Sequence, residues 1–226
     1  MPLSVYIFKV YLKSILIRMI KIVNHSKRTL EIAQKYGWHI GARYTNLRDI
    51  KTFQDITFID IDWKNYDFEK HLAVVKKVRP KMTVARDIVD IKDLDLILKE
   101  AAILNTYAEK IILVPKAKEL IDNMDLIPAH YILGYSVPSK YGKTEIPPEN
   151  FGRREVHLLG GRPDVQRELA KKMNVISLDC NRFTLDAGYG DYFVGDKFIP
   201  HKQGGYENCL TDSIININKI WDDHGR

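Results

Sequence analysis

The sequence contains few cysteines and no long apolar run, and these two shortages exclude several classes of protein. Its 226 residues include only Cys180 and Cys209, too few for a disulfide scaffold or a four-cysteine zinc site. We therefore expect a protein of a reducing cytoplasm. With 45% apolar and 28% charged residues, the chain is too apolar for intrinsic disorder and has the size of a single globular domain.

The net charge of +6 comes from one end of the chain. The first 30 residues carry six basic and no acidic side chains, so the remainder is neutral and the total does not by itself predict a nucleic-acid partner. Lys9, Lys13 and Arg18 interrupt the apolar residues 1–18, which are therefore unsuited to span a bilayer or to serve as a signal peptide. We interpret them as an extension of one domain over 19–226, with a surface-lying helix as the alternative.

Short β-rich segments alternate with helical patterns from residue 38 onward. Seven segments have strand character: WHIGARY (38–44), ITFIDIDW (56–63), KMTVARDI (81–88), KIILVP (110–115), HYILGYSV (130–137), EVHLLGG (155–161) and NVISLDC (174–180). Between several of them, apolar residues recur at helical spacing. Successive strands begin roughly 20 to 28 residues apart, which is the length of one strand and one crossover helix.

This repetition predicts an α/β fold, a compact (β/α)8 TIM-like barrel with an N-terminal extension and a C-terminal helix. We expect the eighth strand around residues 192–200. The closing helix, near 207–222, has a packing stripe of Leu210, Ile214, Ile217 and Trp221. An open doubly wound sheet is the alternative, but no Gly-x-Gly-x-x-Gly follows the first strand, so a dinucleotide site has no support.

Aspartates stand at the ends of three of the expected strands: Asp60 and Asp62, then Asp87, then Asp179. In a barrel these ends converge on one mouth, and the strand period of two would place Asp60 and Asp62 on the same face, with Asp62 nearer the mouth. A helix cap or a polar loop explains any single aspartate equally well. Four on three strands indicate a functional site.

No motif for another use of these carboxylates is present. The sequence has no Walker loop, no His-Glu-x-x-His and no Gly-x-Ser-x-Gly, and its histidines lack ligand spacing. We therefore expect neither a metal nor a cofactor. Convergent aspartates then suit glycosidic-bond chemistry, in which one carboxylate attacks the anomeric carbon and another moves the proton. His157, inside a strand, is interpreted as structural.

The segment VHLLGGRPDVQRELAKKMNVISLDCNRF (156–183) resembles the last strand–helix–strand unit of tRNA-guanine transglycosylases. HYILGYSVP (130–138) is similar to that family's Gly-x-Ser-Val strand, and KMTVARDI (81–88) to the strand whose aspartate recognises the base. The resemblance covers about residues 56–183 and is strongest to the DpdA-type DNA 7-deazaguanine transglycosylases of phages and bacteria. It implies exchange of guanine in DNA for a 7-deazaguanine through a covalent aspartyl-glycosyl intermediate, in the host cytoplasm if the gene belongs to a phage.

The resemblance also implies roles for individual residues. Asp179 matches the nucleophile, and Asp62 matches the acid/base aspartate, with Asp60 as the alternative. Tyr66 stands four residues after Asp62, where the family has the aromatic side chain that stacks on the base. Asp87 would hold the edge of the guanine.

Further contacts to the base follow from the same resemblance. Backbone amides near Gly134 and Tyr135 would bind it, and Leu159 would cover its other face before the turn at Gly160 and Gly161. The family's recognition glutamine is missing on the fourth strand, and we expect Lys116 to take its place.

Basic residues would hold the phosphates of the nucleic acid. Arg182 falls in the family's basic loop after the nucleophile. The turn 160–164, with Arg162, suits either a phosphate at a helix N-terminus or a tight turn before a first-turn proline. The loop 139–155 suits either a DNA strand or plain solvated charge. Its basic and aromatic residues are Lys140, Tyr141, Lys143, Phe151, Arg153 and Arg154.

One departure from the family bears on the substrate. The zinc site of three cysteines and one histidine in the tRNA enzymes cannot be built from Cys180 and Cys209, which disfavours tRNA. The expected partners are therefore DNA, with a flipped or single-stranded guanine, and a free 7-deazaguanine base. The alternatives are a minimal tRNA-guanine transglycosylase and a non-catalytic DNA-binding barrel.

Overall fold

The structure, a computed structural model, describes residues 19–139 and 142–222. Eight parallel strands close into a barrel in chain order, which confirms the predicted TIM-like fold. The strands are β1 (Ile20–Val23), β2 (His39–Arg43), β3 (Ile56–Asp60), β4 (Met82–Val84), β5 (Lys110–Leu113), β6 (Ile132–Ser136), β7 (Glu155–Leu159) and β8 (Asn174–Asp179). The extension predicted at 1–18 lies outside the described residues.

Helices do not follow every strand. In the described part of the chain they are α1 (Lys27–Lys35), α2 (Phe68–Val78), α3 (Leu94–Leu104), α4 (Pro163–Leu169), α5 (Arg182–Gly188) and α6 (Tyr206–Asp222). Short 3-10 turns take their place after β2, β5 and β6: Arg48–Ile50, Lys118–Ile121, Met124–Leu126 and Pro148–Phe151. The short turns explain how a (β/α)8 barrel fits into fewer residues than is typical.

The eighth strand differs from the prediction. Residues 192–200 do contain strands, but they form an antiparallel hairpin outside the barrel, β9 (Asp191–Val194) and β10 (Lys197–Pro200). Gly195, with φ of 64°, makes the tight turn between them. The barrel is closed instead by β1, which pairs with both β2 and β8.

Side chains of alternate residues fill the barrel interior. Phe58 stacks on His157 with 5.1 Å between ring centroids, and His157 contacts Ser177 of β8. Since side chains two residues apart on a strand share a face, the next interior positions on β3 and β8 are Asp60 and Asp179. Asp60 and Asp179 therefore lie at the end of the barrel interior where the strands finish, which we call the mouth.

The predicted closing helix is present as α6, which buries Leu210, Ile214, Ile217 and Trp221. On the same helix, Asn218 accepts a hydrogen bond from the indole N–H of Trp38 at 2.9 Å. Within residues 19–139 and 142–222, no helix has the length and apolar character needed to cross a membrane.

Candidate active site

Asp60 and Asp179 interact at the mouth of the barrel, where β3 and β8 end. Withdrawal from water raises the pKa of Asp60 to about 7, and the negative charge of Asp179 is the second cause. The charge of Asp87 acts in the same direction, whereas the Ile61 N–H and the charge of Arg43 oppose the shift. Asp60 is thus able both to give and to accept a proton near neutral pH.

Asp179 is held by two donors on a single oxygen. The Gly160 N–H donates to Oδ1 at 3.1 Å, and Nε2 of the buried His157 lies 3.4 Å from the same atom. Nδ1 of His157 is 2.8 Å from Oγ of Ser177. If that hydroxyl donates to Nδ1, the imidazole presents Nε2–H to the carboxylate. His157 is thus a satisfied, buried histidine, as the sequence predicts, that also orients Asp179.

The turn after β7 requires glycine at two consecutive positions. Gly160 and Gly161 have φ of 62° and 87°, and a Cβ on Gly161 would lie 2.3 Å from Cγ1 of Val137. Buried Gln166 donates from Nε2 to the carbonyl oxygens of Gly160 and Asp179 at 2.7 and 2.8 Å. The turn therefore fixes the end of β7 against the end of β8 and directs an N–H at the Asp179 carboxylate.

Asp62 does not share the strand face of Asp60. The strand β3 ends at Asp60, and side chains alternate between two faces only within a strand. Asp62 lies in the following turn, half-buried, where its Oδ1 accepts the Lys64 N–H at 3.3 Å. Asp60 is the aspartate whose pKa responds to the charge of Asp179. Of the two sequence candidates for the acid/base residue, Asp60 therefore lies at the strand end where the charge of Asp179 acts on it, and Asp62 lies beyond that strand.

Tyr66 packs outside the barrel. Its hydroxyl lies 3.3 Å from Nδ1 of His71 on α2, and its ring meets those of Tyr44 and His71 edge-on. Burial raises the pKa of the Tyr66 hydroxyl. On its other side, His71 contacts Oγ1 of Thr83 at 2.8 Å, and burial lowers the pKa of His71 to about 4. Tyr66 therefore packs against Tyr44 and His71 and is half-buried.

Asp87 and Lys116 form an ion pair at the mouth, with 2.6 Å between Nζ and Oδ2 and both side chains mostly buried. Nζ of Lys116 also lies 6.0 Å from the centroid of the Trp63 ring. Trp63 is 52% exposed, and no role was predicted for it from the sequence. The available signal was its position three residues after a strand-ending aspartate.

The other predicted base contacts lie at two levels. Leu159 ends β7 at the mouth, half-buried. Gly134 and Tyr135 lie inside β6, paired in register with His157 and Leu158, one layer lower. A Cβ on Gly134 would lie 2.7, 2.9 and 3.1 Å from side-chain atoms of Val114, Ile112 and Leu159, so this glycine makes room for all three side chains.

A cavity of about 440 Å³ opens beside Asp60 on the β1–β2 side of the mouth. Arg43, which ends β2, and Asn181, two residues after Asp179, line it. Oδ1 of Asn181 accepts the Asn24 N–H at 2.9 Å, which ties the end of β1 to the β8 loop. The volume lies in the range of small-molecule sites.

Two of the predicted nucleic-acid contacts lie beside the mouth. Arg162 and Arg182 both stand over the ring of Phe198 on β10, at 5.6 and 5.7 Å from its centroid. Arg162 pairs with Asp164 at 3.0 Å and Arg182 with Asp186 at 2.6 Å. Their side chains are each partly exposed.

Arg153 and Arg154 do not lie beside the mouth, because both precede β7 at the opposite end of the barrel. Arg154 is occupied there. Its guanidinium donates to the carbonyl oxygens of Ile127, Pro128 and Tyr131 at 3.0, 2.9 and 3.0 Å.

The rest of the basic loop is less informative. Lys143 is exposed, with Nζ 3.7 Å from Oε1 of Glu145. Phe151, expected to be available to a DNA strand, is fully buried against Tyr135. The predicted contacts of Lys140 and Tyr141 lie outside the described residues.

Within the two described ranges, no three side chains of His, Cys, Asp or Glu are grouped so as to hold a metal ion.

Comparison with known proteins gives a family and no activity. No curated protein matches the chain in sequence. The model of the family of unknown function DUF6610 matches residues 33–222, which include β2 to β8 and α6. The chain therefore belongs to the family of unknown function DUF6610.

Proposed function

We propose that this protein is a base-exchanging pentosyltransferase, a DNA-guanine transglycosylase that replaces guanine in DNA by a 7-deazaguanine base. The observation that carries this proposal is the interaction of Asp60 with Asp179. One carboxyl group has a pKa raised to about 7, and the other is held by an N–H and an imidazole. A proton shuttle beside an oriented nucleophile is the pair that this chemistry requires.

In the first half of the reaction, a carboxylate oxygen of Asp179 attacks C1′ of the guanine nucleotide. The C1′–N9 bond breaks, its electron pair leaves with the base, and Asp60 in its acid form supplies the proton that neutralises the leaving guanine. The Gly160 N–H keeps Asp179 oriented throughout. The product is a glycosyl ester of Asp179 and an ionised Asp60.

In the second half, the free 7-deazaguanine binds in place of guanine. Asp60 removes the proton from its ring N9 as that nitrogen attacks C1′, and the ester bond to Asp179 breaks. Both carboxyl groups return to their starting state, so no external reactant is consumed. Two inversions at C1′ give net retention.

The surroundings of the two aspartates suit a nucleic-acid substrate. The Asp87–Lys116 pair offers an acceptor and a donor to the edge of a guanine. Arg162 and Arg182 stand beside the mouth for phosphate contacts. A guanine in a duplex has to be flipped out to reach this site, at a cost of about a few kcal/mol.

The direct test is incorporation of radiolabelled guanine, and of a 7-deazaguanine, into DNA by the purified full-length chain. We expect incorporation by the wild type, and a loss of at least about 1,000-fold in Asp179→Asn with the fold unchanged by circular dichroism. Asp125→Asn, an exposed aspartate in a turn after β5, is the matched control and should leave incorporation unchanged.

The same assay addresses the alternatives. Undiminished incorporation in Asp179→Asn contradicts the proposed nucleophile. Incorporation into tRNA but not into DNA identifies a minimal tRNA enzyme. Salt-sensitive DNA binding without any incorporated base, unchanged in Asp179→Asn, identifies a barrel that only binds DNA.

A further inference from the structure

Three side chains at the mouth form a contiguous group, and each stands three residues beyond the end of its strand. They are Trp63 after β3, Asp87 after β4 and Lys116 after β5. Lys116 connects the other two, with Nζ 2.6 Å from Oδ2 of Asp87 and 6.0 Å from the Trp63 ring centroid. The charge of Asp87 reaches Asp60, so the group adjoins the candidate active site.

Trp63 is exposed in a way that the other tryptophans are not. Trp38 and Trp221 are 2% and 4% exposed, whereas Trp63 is 52% exposed. A large aromatic ring left in water at the edge of a site loses the free energy of burial that it would gain inside the protein. Such rings serve as stacking platforms for bases, because every base has an apolar face of similar size.

The aromatic residue that the sequence predicts for stacking is not free to do so. Tyr66 lies against Tyr44 and His71, with its hydroxyl 3.3 Å from Nδ1 of His71. Moving its ring to the mouth would break these contacts. Trp63 is already exposed, with the ammonium groups of Lys64 and Lys116 at 5.2 and 6.0 Å from its ring centroid.

We propose that Trp63 is the stacking platform for the purine base, and that Asp87 and Lys116 bind the edge of the same base. The inference rests on the proposed function for the identity of that base. With the indole on one face and a carboxylate and an ammonium group at the rim, the site fits a planar ring system that has both donors and acceptors on its edge.

The test is a titration of the full-length protein with free 7-deazaguanine, without DNA, followed by intrinsic fluorescence and by calorimetry. Because the other two tryptophans are buried, we expect the base to quench mainly Trp63, so that the quenching disappears in Trp63→Phe. By calorimetry, Trp63→Ala should bind the base about tenfold more weakly, and Trp63→Tyr should recover most of the affinity.

Tyr107→Ala is the matched control. Tyr107 also has two basic side chains over its ring, Lys76 and Arg79 at 5.3 and 5.5 Å, but it lies before β5 at the opposite end of the barrel. A folded Tyr107→Ala protein should bind 7-deazaguanine as the wild type does. Affinity in Trp63→Ala within twofold of the wild type, or no binding of the base to the wild type, overturns the inference.

The outcome separates this inference from the proposed function. Trp63-dependent binding of 7-deazaguanine without any incorporation into DNA would support the platform and contradict the transglycosylase. Incorporation that depends on Asp179 and has an unchanged KM for the base in Trp63→Ala would support the transglycosylase and contradict the platform.

Discussion

Each end of the barrel has a charged and an aromatic side chain, but the two ends differ in how far these side chains are stabilised by their neighbours. At the N-terminal end, Arg154 is satisfied by three carbonyl oxygens, and Tyr107 is covered by two basic side chains. At the mouth, Asp60 is withdrawn from water beside Asp179 with its pKa raised, and Trp63 is left exposed. One end stabilises the fold, whereas the other retains unfavourable groups, as functional sites do.

Asp60→Asn, like Asp179→Asn, should have a large effect at the mouth. Loss of the acid/base group should lower the rate of base exchange by about 10²- to 10⁴-fold, while the protein becomes no less stable at neutral pH, because an unfavourably placed charge is removed. Exchange assays and urea denaturation at pH 7.5 measure the two quantities. If Asp60→Asn loses both stability and activity, Asp60 stabilises the fold, as Arg154 does at the other end, and the comparison between the two ends fails.

The same variant should change how stability depends on pH. The pKa of Asp60 is about 7 in the folded protein against an ordinary value of 3.8, so between these values the folded state binds the proton and the unfolded state does not. The Asp60 contribution to the free energy of unfolding is therefore highest below about pH 4 and falls as the pH rises to about 7. Asp60→Asn should remove this fall, as followed by urea denaturation from pH 4 to pH 8.

Arg154→Ala should show the opposite behaviour at the N-terminal end. It leaves the carbonyl oxygens of Ile127, Pro128 and Tyr131 without this donor, which should lower the free energy of unfolding by about 1–3 kcal/mol. Base exchange per folded molecule should not change. Arg153→Ala, an exposed neighbour, is the control and should be within about 0.5 kcal/mol of the wild type. A loss of exchange activity in folded Arg154→Ala would contradict the separation of the two ends.

His157→Leu should lower exchange less than Asp60→Asn does, by about tenfold, because Asp179 keeps the Gly160 N–H as its second donor. The loss should be in kcat rather than in KM, because the carboxylate loses a group that orients it and not a contact to the substrate. His71→Leu, a buried histidine on the outer side of the barrel, is the control. A kcat unchanged from wild type in His157→Leu would reduce His157 to a packing residue.

The alternation of strand and helix patterns in the sequence predicted the barrel correctly, but not which strand closes it. The segment 192–200 does form strands, as its apolar residues indicate, but they pair with each other. The closing strand β1 has only four residues, within a stretch where apolar and basic residues mix. Which strand pairs with which depends on contacts between residues far apart in the chain, and a local pattern holds no information about them.

The site was predicted in its residue types and less well in its geometry. The strand-end aspartates follow from the sequence, but the expectation that Asp62 shares a face with Asp60 depended on a strand end at residue 63, three residues beyond the observed end at Asp60. Tyr66 stood at the spacing of the resembled family and packs against His71 instead. Trp63 stands three residues after the strand-ending Asp60, and its exposure distinguishes it from the two buried tryptophans.

The sequence by itself determined the repetition of strands and helices, the consecutive glycines at 160 and 161 and the closing helix, because each depends on local conformation and on apolar periodicity. The tertiary structure alone decided that Asp60 senses Asp179, that Asp87 pairs with Lys116 and that Arg154 holds the far end of the barrel. Electrostatic interaction and burial depend on distance in space, and closing the barrel sets those distances.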